Sequence, residues 1–468
     1  MLRGLAGFHT LNAVRPVFHH EIENFLISLG TLICMSISLV YVQDALRKAN
    51  CSAYGYERDT TPHMSELAAE GVTLTGIAPS TWTKPVAASI LSGRRPHAHG
   101  TVYRDSMFDA ERFSITTALP NDVTTAAFIS NGYIDASFGF DYGFDVFEEF
   151  YVSEDNWTVG PGIVTEAVVE FVEGLSNDED AFILVWTIGP HLPYDTADSR
   201  WGDADSATTR GGFRSEVENI GRQHMLNRYD DQIRENDEEL GRLVETLKRS
   251  GRYSESCVVV AGDHGELFGE GFEGRAMKGY GHGKVVPYQQ VTEVPLVMKP
   301  PSGMSEELED GQLSSLVDIP PTVCEVHGSP APRTVQGCSM FQSGYDRKHC
   351  FVQVPGSDRQ GELYRSVRTN AWNFITVEHT GTLFSAIRDG VKSWIKTGLL
   401  LDEYLLPIKD GVEQYDNRLA EMPEIGEQLR EIVVTTAERD HRSVTAEQKT
   451  EKLEGDVRQN LEELGYLG

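Results

Sequence analysis

The chain has 468 residues, 40% of them hydrophobic, with a mean hydropathy of -0.32; this length buries a large core plus a smaller appendage, and this composition excludes a polytopic membrane protein. The 41 basic against 71 acidic residues leave a net charge of -30, which excludes nucleic acid as a partner. Scarce lysine, 12 against 29 arginines, combined with the acid excess fits a halophilic protein; at molar salt the Debye length falls to about 3 Å and only charges inside a site act on a substrate.

Residues 1–34 form an atypical extension, and no charge occurs from Phe25 to Gln43. Ser38–Gln43 (SLVYVQ), however, reads as the first strand of the core, and without it roughly 12 apolar residues remain, too few to cross about 30 Å of hydrocarbon. No stable membrane span is therefore expected, folding is expected to begin near Met35, and the expected location is cytoplasmic. From Asp44 onward the pattern alternates. Thr60-Thr61-Pro62 opens a helix that Gly71 closes. Short apolar runs at Val72–Ile77, Thr124–Ile129, Phe182–Ile188, Cys257–Ala261 and Val294–Met298 read as strands of a parallel sheet, buried on both faces. Helices are predicted at Val164–Leu175 and from about Arg214 to Arg249. This is a doubly wound, mostly parallel α/β domain over 35–340, whose ligand sites gather at the carboxyl ends of strands. A small antiparallel subdomain over 341–422 is predicted from Phe351–Val354, Leu363–Arg368, Ala371–Glu378 and Thr382–Ile387, and a helical acidic tail over 423–468. The cysteines Cys34, Cys51, Cys257, Cys324, Cys338 and Cys350 form no CxxC pair and indicate neither a zinc knuckle nor a disulfide framework.

The stretch TWTKPVAASILSGRRPHAHG, from Thr81 to Gly100, is the expected centre of the chemistry. Pro85 suits the first turn of a helix through Leu91, and Gly93 ends it. Thr83 stands just before this helix, where its hydroxyl either caps the free N–H groups or faces a bound oxyanion at the positive dipole end. Asp44 ends the first strand, and Asp263-His264 end another, CVVVAGDHGE. The sheet would project all three into one crevice, where carboxylate oxygens and a neutral imidazole suit a divalent cation, with Thr83 as a fourth ligand. His191 in GPHLPYD and His282 in KGYGHGK stand in loops expected on the same edge. Glycines 279, 281 and 283 permit close backbone approach to a ligand, and two imidazoles on one rim could bind a tetrahedral anion and protonate a leaving oxygen.

These residues resemble the sulfatase family of the alkaline-phosphatase-like superfamily. The likeness lies in QDALR at 43–47, YGYERDTTPHMSELAAEGV at 54–72, SGRRPHAHG at 92–100, PHLPY at 190–194, GDHGELFGE at 262–270, GHG at 281–283 and VDIPPTV at 317–323, and continues in SVRTNAWNFI at 366–375 and LEELGYL at 461–467. The resemblance implies metal ligands at Asp44, Asp263 and His264, a nucleophile at Thr83, and substrate contacts from Lys84, His191, His282 and Arg47. Three departures stand out. The family's CxPSR or SxPSR, whose Cys or Ser is oxidised to formylglycine, is here TKPVA; Ala45 and Ala87 replace an Asp and the Arg; and His264 stands where calcium-dependent sulfatases carry Asn. Threonine bears a β-methyl group and its oxidation gives only a ketone, so no formylglycine is expected. A Thr nucleophile with two Asp and one His instead resembles the phosphoesterase branch, in which an alkoxide attacks phosphorus and a covalent phosphothreonine forms. One imidazole and three oxygens favour Mn²⁺ or Zn²⁺ over Ca²⁺. The expected partner is an anionic ester, either a small molecule or linked to a glycan or lipid. The alternatives are a sulfuric ester hydrolase using unmodified Thr83 and an inactive binding protein, the latter suggested by loss of the Ser and Arg after Pro85.

Overall fold

The computed structural model describes residues 36–150, 159–194, 199–201, 220–270, 279–283, 285–304, 308–355, 361–380 and 403–441. The expected start at Met35, the Thr382–Ile387 strand and the end of the tail lie outside them. Eight strands form the main sheet: β1 (Ile37–Gln43), β2 (Val72–Ile77), β3 (Val123–Ile129), β4 (Val146–Glu149), β5 (Asp180–Thr187), β6 (Cys257–Gly262), β9 (Glu293–Lys299) and β10 (Leu313–Ser315), in the order β10-β2-β9-β6-β1-β5-β3-β4. Strands β7 (Leu267–Glu270) and β8 (Gly279–Gly281) make a separate hairpin between β6 and β9.

Central strand β1, ISLVYVQ, is buried along its whole length because both faces are covered. Val40 and Val42 join one core with α2 (Thr83–Ser92) and α5 (Ile319–Val326), contributed by Val86, Ile90, Ile319 and Val323. Ile37, Leu39 and Tyr41 join the opposite core with α1 (Pro62–Glu70), α3 (Pro161–Gly174) and α4 (Arg222–Arg249). Successive side chains of a strand alternate faces, so a continuous apolar run is what a twice-covered strand requires.

One strand departs from expectation. β9 runs antiparallel to both its neighbours, β2 and β6, whereas the other seven share one direction. The apolar run Val294–Met298 signals burial on both faces and carries no information about direction. The connection does: among the described residues between β6 and β9 there is a hairpin and a short helical turn but no long crossover helix, in keeping with a return from the edge the chain has just left.

A second, antiparallel sheet consists of β11 (Cys350–Val354), β12 (Gly361–Arg368), β13 (Trp372–Thr380), β14 (Glu403–Lys409) and β15 (Val412–Glu413), in sequential order. Val352, Val354, Tyr364 and Ile375 pack on Ile77, Val286 and Leu313 of the main unit, and Phe351, Val367, Phe374 and Leu405 pack on Leu429 and Val433 of α6 (Pro423–His441). Half-buried Lys48, in the turn after β1, and buried Arg368 of β12 both pair with buried Glu293 of β9, at 2.7 Å each. No helix among the described residues is long and apolar enough to cross a membrane.

Candidate active site

Sheet register assembles the first part of the site. Gln43 pairs with Gly262 of β6 and with Thr187 of β5, so Asp44 and Asp263 leave adjacent strands at one level. Ala45 follows Asp44 in the left-handed region, φ 60°, which is uncommon for a residue with a β-carbon. Its surroundings hold it there: the Ala45 N–H donates to Asp263 Oδ1 at 2.9 Å, and the Tyr229 hydroxyl donates to the Ala45 carbonyl at 2.6 Å. Gly265 is required for a different reason, since a β-carbon there would lie 2.0 Å from the Gln290 carbonyl oxygen.

Thr83 is the first residue of α2 rather than its cap. Trp82 holds the cap position, and no side chain caps the helix. The Thr83 hydroxyl is turned instead towards Asp44 Oδ2, at 3.2 Å, and His264 Nε2, at 3.4 Å. His264 Nε2 lies 3.7 Å from Asp44 Oδ1 and 3.4 Å from Asp263 Oδ2. Asp44, Thr83, Asp263 and His264 are thus brought together, every one of them buried.

The donor set fits a divalent cation. Asp44, Asp263 and His264 each offer a ligand atom within 4.8 Å of the others. Asp44 Oδ1 and Asp263 Oδ2 are buried without a hydrogen-bond partner, although the other oxygen of each carboxylate is satisfied. His264 Nδ1 lies 2.9 Å from the Gly265 carbonyl, which can only accept, so this nitrogen carries the proton and Nε2 presents a lone pair. Burial, and then the negative charge of Asp263, raises the Asp44 pKa well above the usual carboxylate range; burial raises that of Asp263 to about 7. Burial, and then His282, pushes His264 well down. Two adjacent buried acids and a neutral imidazole are unfavourable as they stand and become favourable around a cation.

The hairpin after β6 brings His282 onto the same edge. Its ring centroid lies 4.4 Å from His264 and 4.9 Å from His191. Both oxygens of fully buried Glu266 lie 3.1 Å from His282 Nδ1. Burial opposes a charge on His282, but the charge and hydrogen bond of Glu266 outweigh it and raise the pKa. Burial, reinforced by His282, lowers His191 to about 3 and holds it neutral.

Two expected substrate contacts have other partners. Lys84 Nζ donates to the Arg104 carbonyl at 2.6 Å and sits 3.0 Å from the centroid of the Phe138 ring. One residue along a helix turns the side chain by about 100°, so Lys84 cannot share the direction of Thr83. Arg47 pairs with Glu270 at 3.0 Å beside the Phe268 ring, while its Nε and Nη1 are buried without a hydrogen-bond partner. Two residues of the site were not expected. Asn131, just beyond β3, donates from Nδ2 to Asp44 Oδ2, and it could have been found by the strand-end logic that found Asp44. Glu266 lay unread within GDHGELFGE.

The family model described as Sulfatase matches residues 38–329. An ulvan-active sulfatase of Formosa agariphila is 24% identical over 432 residues, covering 81% of this chain and 82% of that protein. Arylsulfatase K of Bos taurus is 27% identical over 167 residues, 33% of this chain, and the match spans only 29% of that protein. A phosphonate monoester hydrolase of Agrobacterium radiobacter shares the fold with a TM-score of 0.66 at 15% identity, covering 87% of this chain and 96% of that one.

Proposed function

The chain belongs to the sulfatase family, and from that premise we propose that it hydrolyses phosphoric or phosphonic esters through a covalent intermediate on Thr83. The observation that carries this reading is the Thr83 hydroxyl, unconvertible to an aldehyde and lying within 3.4 Å of both Asp44 Oδ2 and His264 Nε2. A divalent cation held by Asp44, Asp263, His264 and Thr83, with Mn²⁺ or Zn²⁺ matching the donors better than Ca²⁺, would lower the pKa of that hydroxyl and offset the charge of the ester oxygens.

The residues divide the remaining work. Asp44 lies where it can take the Thr83 proton as the Thr83 oxygen attacks phosphorus in line, and Asn131 holds the Asp44 carboxylate in place. The bond to the departing alkoxide breaks as the bond from Thr83 Oγ1 forms, and protonated His282, kept charged by Glu266, delivers a proton to the leaving oxygen. His191, neutral and with its Nδ1–H donating to the Leu192 carbonyl, packs edge-on against the His282 ring at the rim of the site. Water then attacks the phosphothreonine, releasing phosphate and restoring the hydroxyl. An anionic ester carried by a small molecule, a glycan or a lipid fits this chemistry.

A second reading is favoured by the relatives, an ulvan-active sulfatase and arylsulfatase K: sulfuric ester hydrolysis with the same unmodified threonine. A panel of p-nitrophenyl sulfate, phosphate monoester and phosphodiester, assayed in high salt with Mn²⁺ or Zn²⁺ on the native protein and Thr83→Ala, separates the two. Faster turnover of phosphate esters, abolished in Thr83→Ala and accompanied by phosphate on Thr83 in the quenched protein, is the expected result. Preference for the sulfate ester selects the second reading. No metal uptake, with turnover by native protein no greater than that by Thr83→Ala and no greater than background, would mark a protein that binds without catalysis.

A further inference from the structure

His282 sits between Gly281 and Gly283, whose φ angles are 75° and 88°. On one side Gly281 is held by its pairing with Leu267 in the β7–β8 hairpin, whereas Gly283 on the other side lies past the strand, so the place of that side of the loop must be set from outside. Glu266 fixes one end of the ring. The other restraint comes from the segment that leads into α2.

Thr81 is fully buried and lies two residues before Thr83, with only the helix cap Trp82 between them. Its carbonyl accepts from the Gly283 N–H at 2.8 Å, and its hydroxyl donates to the Gly283 carbonyl. These bonds run in opposite directions between one residue and the next residue after His282. Neither serves the helix, because Thr81 stands outside it. A hydroxyl is needed only for the second bond, and a β-branched residue of the same shape without one, valine, would keep the packing and lose the clamp.

We propose that Thr81 is the positioning residue that locks the His282 loop to the nucleophile's helix, so that Thr83 and the proton donor are held as one unit. This rests on the reading of His282 as the group that protonates the leaving oxygen. General-acid catalysis contributes about 100-fold or more, and a misplacement near 1 Å can remove that much. The loss should depend on the leaving group, since an alkoxide needs a proton to depart and p-nitrophenolate does not.

The experiment compares native protein with Thr81→Val, Thr81→Ser and Gly283→Ala on a p-nitrophenyl phosphoester and on the corresponding alkyl ester. Thr81→Val is expected to lower kcat on the alkyl ester about 10- to 100-fold with KM and p-nitrophenyl turnover nearly unchanged, and Thr81→Ser to restore it. Gly283→Ala reaches the same loop without touching Thr81. A β-carbon there meets nothing within 4 Å but is strained at φ 88°, and the same selective loss is expected. It covers the case in which Thr81→Val does not fold. Equal losses on both esters, or none on the alkyl ester, would overturn the proposal while leaving Thr83-dependent hydrolysis intact. Absence of any Thr83-dependent turnover in the native protein overturns the functional reading itself, and the clamp with it.

Discussion

Removing the metal should destabilise the protein, and Asp44→Asn should reverse the effect. The ligand atoms of Asp44 and Asp263 lie no more than 4.8 Å apart, and two like charges at that distance repel by about 3.5 kcal/mol at an effective dielectric near 20, a cost met in full only where both carboxylates are ionised, which the raised pKa of each opposes. Unfolding entropy of about 2.1 cal/mol/K per residue over 468 residues converts this to a shift in Tm of about 4 °C. Native protein in chelator should therefore melt up to about 4 °C lower than with saturating Mn²⁺ or Zn²⁺, the full shift being reached as pH rises and both carboxylates ionise, before the gain from binding itself is added. In Asp44→Asn the amide oxygen can still accept from Asn131 and Thr83. Its NH₂ takes the place of the orphaned Oδ1, facing Asp263 Oδ2. The variant in chelator should melt at or above the native protein in chelator and respond little to metal. Scanning calorimetry with and without chelator is the assay. A native Tm indifferent to metal, together with an Asp44→Asn protein less stable in chelator than native, would refute the idea that the paired carboxylates await a cation.

Glu266→Gln should lower activity mainly on esters with poor leaving groups. Because Glu266 raises the His282 pKa and the protonated form is the one needed, the alkaline limb of the pH–rate profile should move to lower pH; an unmoved limb in a steady-state pH series would exclude that role. Thr83→Ser should retain phosphoesterase activity within about 100-fold of native, whereas Thr83→Ala should abolish it, and quench-trapped phosphoprotein should appear only in the former and the native chain. Glu413 lies buried against Asn373 and Gln289, and burial raises its pKa from 4.5 to about 7. The folded state therefore binds this proton more tightly than the unfolded state, and the corresponding stability is complete below about pH 4.5 and lost as pH rises through about 7. At about 1.36 kcal/mol per pH unit the loss is about 3 kcal/mol, and Glu413→Gln should flatten that part of a Tm-against-pH curve.

What the sequence made legible follows from which signals are local. Strands β1, β2, β3, β5, β6 and β9 announced themselves because a strand covered on both faces needs an unbroken apolar run. β4 and β10, of four and three residues, are too short for any period to show, and they hold their places by pairing with β3 and β2. β14 was missed because its run, EYLLPIK, contains a proline that argues against a strand. At the site, strand ends pointed to Asp44, Asp263 and His264, since register across adjacent parallel strands converts sequence position into a common level. Glu266 and Thr81 were hidden because their roles depend on the fold of the hairpin after β6, which no spacing rule encodes. The Lys84 and Arg47 assignments came from likeness alone; each motif carries the residue, but neither carries the direction of its side chain.

The reversed strand β9 connects these observations. A parallel sheet ordinarily places one short loop at each strand's carboxyl end, and a crossover helix then carries the chain away. Here the described residues between β6 and β9 form a hairpin and a short helical turn, and they supply His264, Glu266, His282 and the Gly283 carbonyl that Thr81 holds. The proposed metal ligands Asp44, Asp263 and His264 sit at strand ends, where displacement would require deforming the sheet. The proposed proton donor, His282, sits on a hairpin, where Glu266 and Thr81 help to fix it. Substitutions at the strand ends should therefore act on metal affinity and stability together, while substitutions at Thr81 and Glu266 should act on the departure of the leaving group and spare the fold.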